Sequence, residues 1–108
     1  MKKLKFSEDF KIPIMERVKI STSRLSDKHL SVGDEFRFVF VPIGNNRGCD
    51  LRGVITKVER VKFKNLSNVH ADNEGYGHVE LLKHELRHFY PDVRWDSIVY
   101  IYQFQVIN

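Results

Sequence analysis

The chain has 108 residues, 42% of them apolar and 30% charged, with a net charge of +4. That length and balance suit one globular domain over residues 1–108, large enough to form a core without staples. The lone cysteine, Cys49, excludes an internal disulfide framework, and no run approaches the roughly 20 apolar residues of a membrane span. The mild positive excess is compatible with nucleic acid or nucleotide partners, although no lysine- or arginine-dense block forms a basic tail.

The opening "MKKLKF" has lysines with no apolar run behind them. It therefore does not read as a signal peptide, and a reducing, cytoplasmic setting without membrane partners is expected. "KLKF" alternates and predicts a short first strand. Ser7 can cap a short helix over "EDFKIPIMERV", with Glu8 and Asp9 in its first turn. Pro13 is awkward inside that helix and predicts a short, kinked or late-starting one. "KISTSRL" reads as strand or extended loop. "VGD" is a turn, "EFRFVFV" alternates as a strand, and "PIGNNRG" reads as a hairpin-like loop.

"LRGVITKVERVKFK" predicts one long or bent strand. Ser67 can cap a short helix "NVHADNE", stopped by Gly75. A second helix is expected over 78–89, ending at Pro91, and "SIVYIYQFQVI" is the last strand. The fold class is α+β: a mixed or antiparallel sheet, closing into a small barrel, with two or three short helices. A regular strand–helix alternation is missing, which disfavours a doubly wound fold.

The second helix contains His84-Glu85-Leu86-Arg87-His88, the H-E-x-x-H pattern of zinc proteases. At roughly 100° per residue, Val79, Leu82, Leu86, Phe89 and Tyr90 form the apolar stripe. His84 and His88 fall on the opposite, solvated side near Leu81. A catalytic zinc also needs a third protein ligand. No histidine follows, and Asp92 or Asp96 would have to serve. The pattern reads as two exposed histidines, and no metal or other cofactor is expected.

A second constellation runs along the whole chain. It comprises Phe10, Ile14, Lys19, Thr22, Arg24, Gly33 and Asp34, then His70, Ala71 and Glu74, then Tyr90-Pro91, and an aromatic-rich closing strand ending at Phe104. In order and spacing it resembles the ASCH domain family, small PUA-like β-barrels, over about Phe6 to Phe104. At one point the chain departs from the family. Glu16-Arg17-Val18 stands where a glycine usually precedes the lysine, which leaves the helix-to-strand turn open.

The resemblance implies a cleft facing RNA or a nucleotide. One branch of small bacterial members hydrolyses N(4)-acetylcytidine to cytidine and acetate, using a lysine, a threonine and a glutamate. Lys19, Thr22 and Glu74 occupy those positions, with Arg24, Asp34, Tyr76 and His70 as substrate-binding candidates. The implied partner is a nucleoside or RNA, and a monomer is expected. The alternative is a non-catalytic RNA- or nucleotide-binding module using the same cleft.

Amide hydrolysis needs a nucleophile, a proton shuttle and an oxyanion site. A threonine hydroxyl becomes nucleophilic when a base takes its proton. Lys19 can be that base if burial lowers its pKa. If charged, Lys19 or Arg24 can instead stabilise the oxyanion. Glu74 can hold the lysine, shuttle a proton or accept from the cytosine amino group. On an ideal strand Thr22 and Arg24 share a face and Lys19 points away. Convergence therefore requires a bulge, or Lys19 placed before the strand begins.

Each residue also has a plain structural reading. Threonine favours strands, Lys19 can be solvated, Glu74 can close a helix, and Arg24 can pair with Asp34 or Glu74 for stability alone. Tyr76, Tyr90, Trp95, Tyr100, Tyr102 and Phe104 are available for base stacking. One set of the closing-strand aromatics is expected in the core. Trp95, in the charged loop "PDVRWDS", is expected partly exposed, over the second helix or at the cleft edge.

Overall fold

The computed structural model describes residues 1–41 and 51–107. The stretch "PIGNNRG" and Cys49 lie outside the described residues. Strand β1 (Lys2–Ser7) follows its alternation, burying Leu4 and Phe6 while Lys3 and Lys5 face out. The Ser7 hydroxyl accepts from the Asp9 amide at 3.4 Å and opens a 3-10 turn, Glu8–Phe10. That turn leads into α1 (Lys11–Met15), a helix of barely one turn with Pro13 at its third position. There the proline's missing N–H removes no helical hydrogen bond.

Strand β2 (Ser21–Arg24) is short, and β3 (Glu35–Val41) alternates cleanly, burying Phe36, Phe38 and Phe40. Strand β4 (Arg52–Lys62) is long, with a register shift between Ile55 and Lys57 that bends it. Gly53 is required there. A Cβ would stand 2.8 Å from the Phe36 ring and 2.9 Å from the Phe38 ring.

A 3-10 turn (Phe63–Asn65) leads to α2 (Asn68–Asn73), where Ser67 and His70 form a reciprocal capping box. Gly75, at φ +88°, takes the chain out of α2. Helix α3 (Val79–Phe89) is capped by His78, whose ring accepts from the Glu80 amide at 3.1 Å. Strand β5 (Ile98–Ile107) closes the chain.

The five strands form one mixed sheet in the order β1-β3-β4-β5-β2. β1 and β3 run parallel, and the other neighbours are antiparallel. Among the described residues no ladder joins β1 to β2. The sheet is therefore open where the sequence reading has it closing into a barrel.

β5 has both faces covered. Tyr102 and Phe104 enter an aromatic cluster with Phe6, Phe36, Phe38 and Phe40. Val99 and Ile101 enter a second cluster under α2 and α3 with Phe63, Leu66, Leu82 and Leu86. The expectation of one buried set on this strand was too narrow.

α3 follows its predicted stripe with one correction. Leu82 and Leu86 are buried, whereas Phe89 is 56% exposed. Phe89, the last residue of the helix, is not part of the second cluster and lines a cavity instead. His84 and His88 are exposed. Among the described residues no helix is long and apolar enough to cross a membrane.

Candidate active site

A cavity of about 260 Å³ opens between α3 and the free edges of β1 and β2. Lys19, Thr22, Ser23, Arg24 and Glu74 supply its polar side. Phe10, Tyr76, Leu82, Leu86, Phe89 and Tyr90 supply its apolar walls, with Glu85 on α3 beside them.

Backbone geometry brings the polar groups together. After α1 the chain reverses tightly, with the Val18 and Lys19 amides both donating to the Pro13 carbonyl, at 2.9 and 3.1 Å. Arg17 makes the reversal at φ +62°, the left-handed region that glycine enters freely. Arg17 thus makes the helix-to-strand turn that the sequence leaves open. Lys19 sits two residues before β2, which resolves its expected facing conflict with Thr22. Next, the Ile20 amide donates to the Asn73 carbonyl at 2.7 Å, and the Phe104 amide donates to the Ile20 carbonyl at 2.9 Å. Ile20 is clamped between the end of α2 and β5. That clamp sets Glu74, which follows α2, against Lys19.

The Lys19 ammonium donates to Glu74 Oε1 at 3.1 Å, and the two side chains are 3% and 5% exposed. The other carboxylate oxygen accepts from the Ser23 hydroxyl. The Phe10 ring centroid lies 4.7 Å from the ammonium. Burial pushes the Lys19 pKa below the ordinary lysine value, and the neighbouring Glu74 carboxylate only partly opposes this.

Thr22 is held separately. Its Oγ1 accepts from Arg24 Nε at 2.9 Å. Arg24 Nη2 donates to the Lys5 carbonyl at 2.6 Å, and the guanidinium lies 4.9 Å from the Phe6 ring centroid. Arg24 therefore spans the open seam between β2 and β1. Burial lowers its pKa, yet a guanidinium stays cationic in proteins. Burial, with Glu85 and Glu74 nearby, raises the Tyr76 phenol, which remains a neutral hydrogen-bond donor.

Five of the seven site candidates line this cavity: Lys19, Thr22, Glu74, Arg24 and Tyr76. Asp34 and His70 do not. Asp34 accepts from the Ser31 amide at 2.8 Å and pairs with Lys2 at 3.1 Å, closing the turn before β3. His70 is spent on the α2 cap, and its Nε2 lies 3.3 Å from Glu59. Arg24 pairs with neither Asp34 nor Glu74. Trp95 lies away from the cavity, packed on Phe63.

Ser23, Glu85 and Phe89 were not among the candidates. Pleating places Ser23 opposite Thr22. All of Ser21, Thr22 and Ser23 are nonetheless buried, because β2 is covered on both sides. Only the buried partner Glu74, distant in sequence, reveals the role of Ser23. Among the described residues no cluster of three or more His, Cys, Asp or Glu side chains is placed to hold a metal ion.

Known structures identify the fold. The chain superposes over 88% of its length on 68% of an ASCH domain from Lactobacillus crispatus, with a TM-score of 0.74 at 17% identity. It superposes over 99% on 76% of a protein from Enterococcus faecalis, with a TM-score of 0.73 at 15% identity. An ASCH protein from Zymomonas mobilis matches over 98% of this chain and 73% of that one, with a TM-score of 0.64 at 9% identity. No family model and no curated protein matches the sequence. The chain has the fold of ASCH domains.

Proposed function

We propose that the cavity is the active site of a nucleoside amidohydrolase that removes the acetyl group of N(4)-acetylcytidine. The observation that carries this reading is a buried lysine–glutamate–serine cluster and an arginine-held threonine in one small cavity. Its volume, about 260 Å³, lies just under the roughly 300–1,000 Å³ of sites for drug-sized ligands. That size favours a single nucleoside over a stretch of RNA.

Arg24 occupies an acceptor position on Thr22, leaving the hydroxyl proton to be given away. A lowered Lys19 pKa favours the neutral amine, the form that can accept a proton. Thr22 Oγ1 adds to the acetyl carbonyl carbon while Lys19 takes the hydroxyl proton. The guanidinium N–H groups of Arg24 not used on Thr22 and Lys5 stabilise the oxyanion. Lys19 then returns the proton to the departing 4-amino nitrogen as the C–N bond breaks, releasing cytidine. Water attacks the threonyl ester, Lys19 accepts a water proton and returns it to Thr22 Oγ1, and acetate leaves. The rings of Phe10, Phe89 and Tyr90 offer faces for the base.

The test is release of cytidine from N(4)-acetylcytidine by the purified chain, followed by chromatography. Thr22→Ala and Lys19→Ala are expected to lose about 10²- to 10⁴-fold in rate. Tight nucleoside binding without turnover would instead support the non-catalytic module.

A further inference from the structure

The flank of α3 away from the cavity carries an aromatic and basic cluster with no part in the chemistry above. The Phe63 and Trp95 rings lie 5.7 Å apart. The Lys83 ammonium is 5.7 Å from the Phe63 centroid and 5.4 Å from that of Trp95. The Arg87 guanidinium is 5.2 and 5.6 Å from the same two centroids. Like charges four residues apart on a helix repel, and Lys83 is only 8% exposed. Buried cations are normally paired with a carboxylate. Among the described residues, neither Lys83 nor Arg87 has an ion pair or a side-chain hydrogen bond.

The surface extends outward from those rings. Trp95 is 60% exposed. The Lys64 amide donates to the Trp95 carbonyl at 3.0 Å, and Arg94 precedes Trp95 in the loop. Both side chains are exposed and, among the described residues, unpaired. Asp92 and Asp96 share that loop, and neither pairs with these cations among the described residues.

We propose that this face binds single-stranded nucleic acid, with a base stacked on Trp95 and phosphates on Lys83, Arg87, Lys64 and Arg94. Charge complementarity names the occupant: unneutralised cations around an exposed indole match a chain that alternates anionic phosphates with flat π faces. Leu82 and Leu86 line the cavity while Lys83 and Arg87 each follow by one residue, so α3 is the wall between the two sites. The platform does not rest on the amidohydrolase reading.

Trp95 is the only tryptophan in the chain, so its fluorescence reports directly on its own surface. Titration with a uridine octaribonucleotide is expected to quench it. Four neutralised phosphates predict a log–log salt slope of about −3, or roughly 50-fold weaker binding between about 50 and 200 mM salt. By polarisation of a labelled octamer, Trp95→Ala is expected to bind about tenfold to a hundredfold more weakly. Arg87→Glu, at an exposed position, should weaken binding and make its loss with salt shallower, because one fewer phosphate is neutralised, with the thermal unfolding curve of each variant as the folding control. A deoxyuridine octamer should bind comparably, because stacking and phosphate contacts do not read the 2′-hydroxyl. Three results would overturn the proposal: no quenching; quenching of equal strength by polyglutamate; or Lys28→Glu, at an exposed site elsewhere, weakening binding as much as Arg87→Glu. None depends on nucleoside hydrolysis, so this surface and the cavity fail or stand separately.

Discussion

Replacing Glu74 with glutamine removes one charge from a buried pair and almost no volume. Lys19 and Glu74 are 3.1 Å apart and each about one-twentieth exposed or less. At an effective dielectric constant of about 20, two unit charges at that separation attract by about 5 kcal/mol. Removing one partner of a buried pair typically costs about 3–5 kcal/mol, because the other charge is left uncompensated. For a domain of this size, Glu74→Gln should lower the midpoint of thermal unfolding by on the order of 15–20 °C.

The deficit should depend on pH in a definite direction. Burial already holds the Lys19 pKa below its unfolded value, and Glu74 is what opposes that shift. Without Glu74 the native pKa falls further. Between the native and unfolded pKa values the unfolded chain binds more protons, so stability rises with pH across that window. The window of the variant opens at lower pH than that of the wild type, and its deficit should therefore shrink as pH is raised. Urea denaturation at several pH values measures this. The companion Lys19→Met/Glu74→Leu chain should recover most of the loss, since an apolar pair of similar volume avoids burying charge. Wild-type stability for Glu74→Gln, or a double variant as unstable as the single one, would refute the argument that the pair is buried and ionised.

Other outcomes follow from single contacts. If Lys19 is the base, kcat/KM should rise with pH through an ionisation below the ordinary lysine range, and a pH–rate profile of Lys19→Ala should lack that limb. Gly53→Ala places a methyl group inside the reach of two phenyl rings and should cost about 1–3 kcal/mol by denaturant titration. Arg17→Gly relieves a left-handed side-chain-bearing residue and should raise stability, net of the entropy added to the unfolded chain, by a few tenths to about 1 kcal/mol; Arg17→Val should lower it.

The strands were legible because period-two alternation names both a strand and its buried face, as at Leu4 and Phe6 or Phe36, Phe38 and Phe40. The helix ends were legible from Ser67, Gly75 and Pro91. Periodicity gives a direction, however, and not what stands there. Phe89 sits on the apolar stripe of α3 yet lines the cavity, and Lys83 is buried because two rings receive it. Family spacing singled out Lys19, Thr22 and Glu74, while the means of their approach, the Ile20 clamp and the Arg17 reversal, are backbone contacts with no spelling in the sequence. Asp34 and His70 matched the pattern equally well and serve a turn and a helix cap. Residue type and order alone do not separate a cavity group from a capping group.

The most direct test of the account is the rate of cytidine release from N(4)-acetylcytidine, measured side by side for wild type, Thr22→Ala and Trp95→Ala. Turnover by the wild type, a loss of about a hundredfold or more in Thr22→Ala, and undiminished turnover of the free nucleoside in Trp95→Ala are expected. No release by the folded wild type, or full activity without the Thr22 hydroxyl, would contradict it.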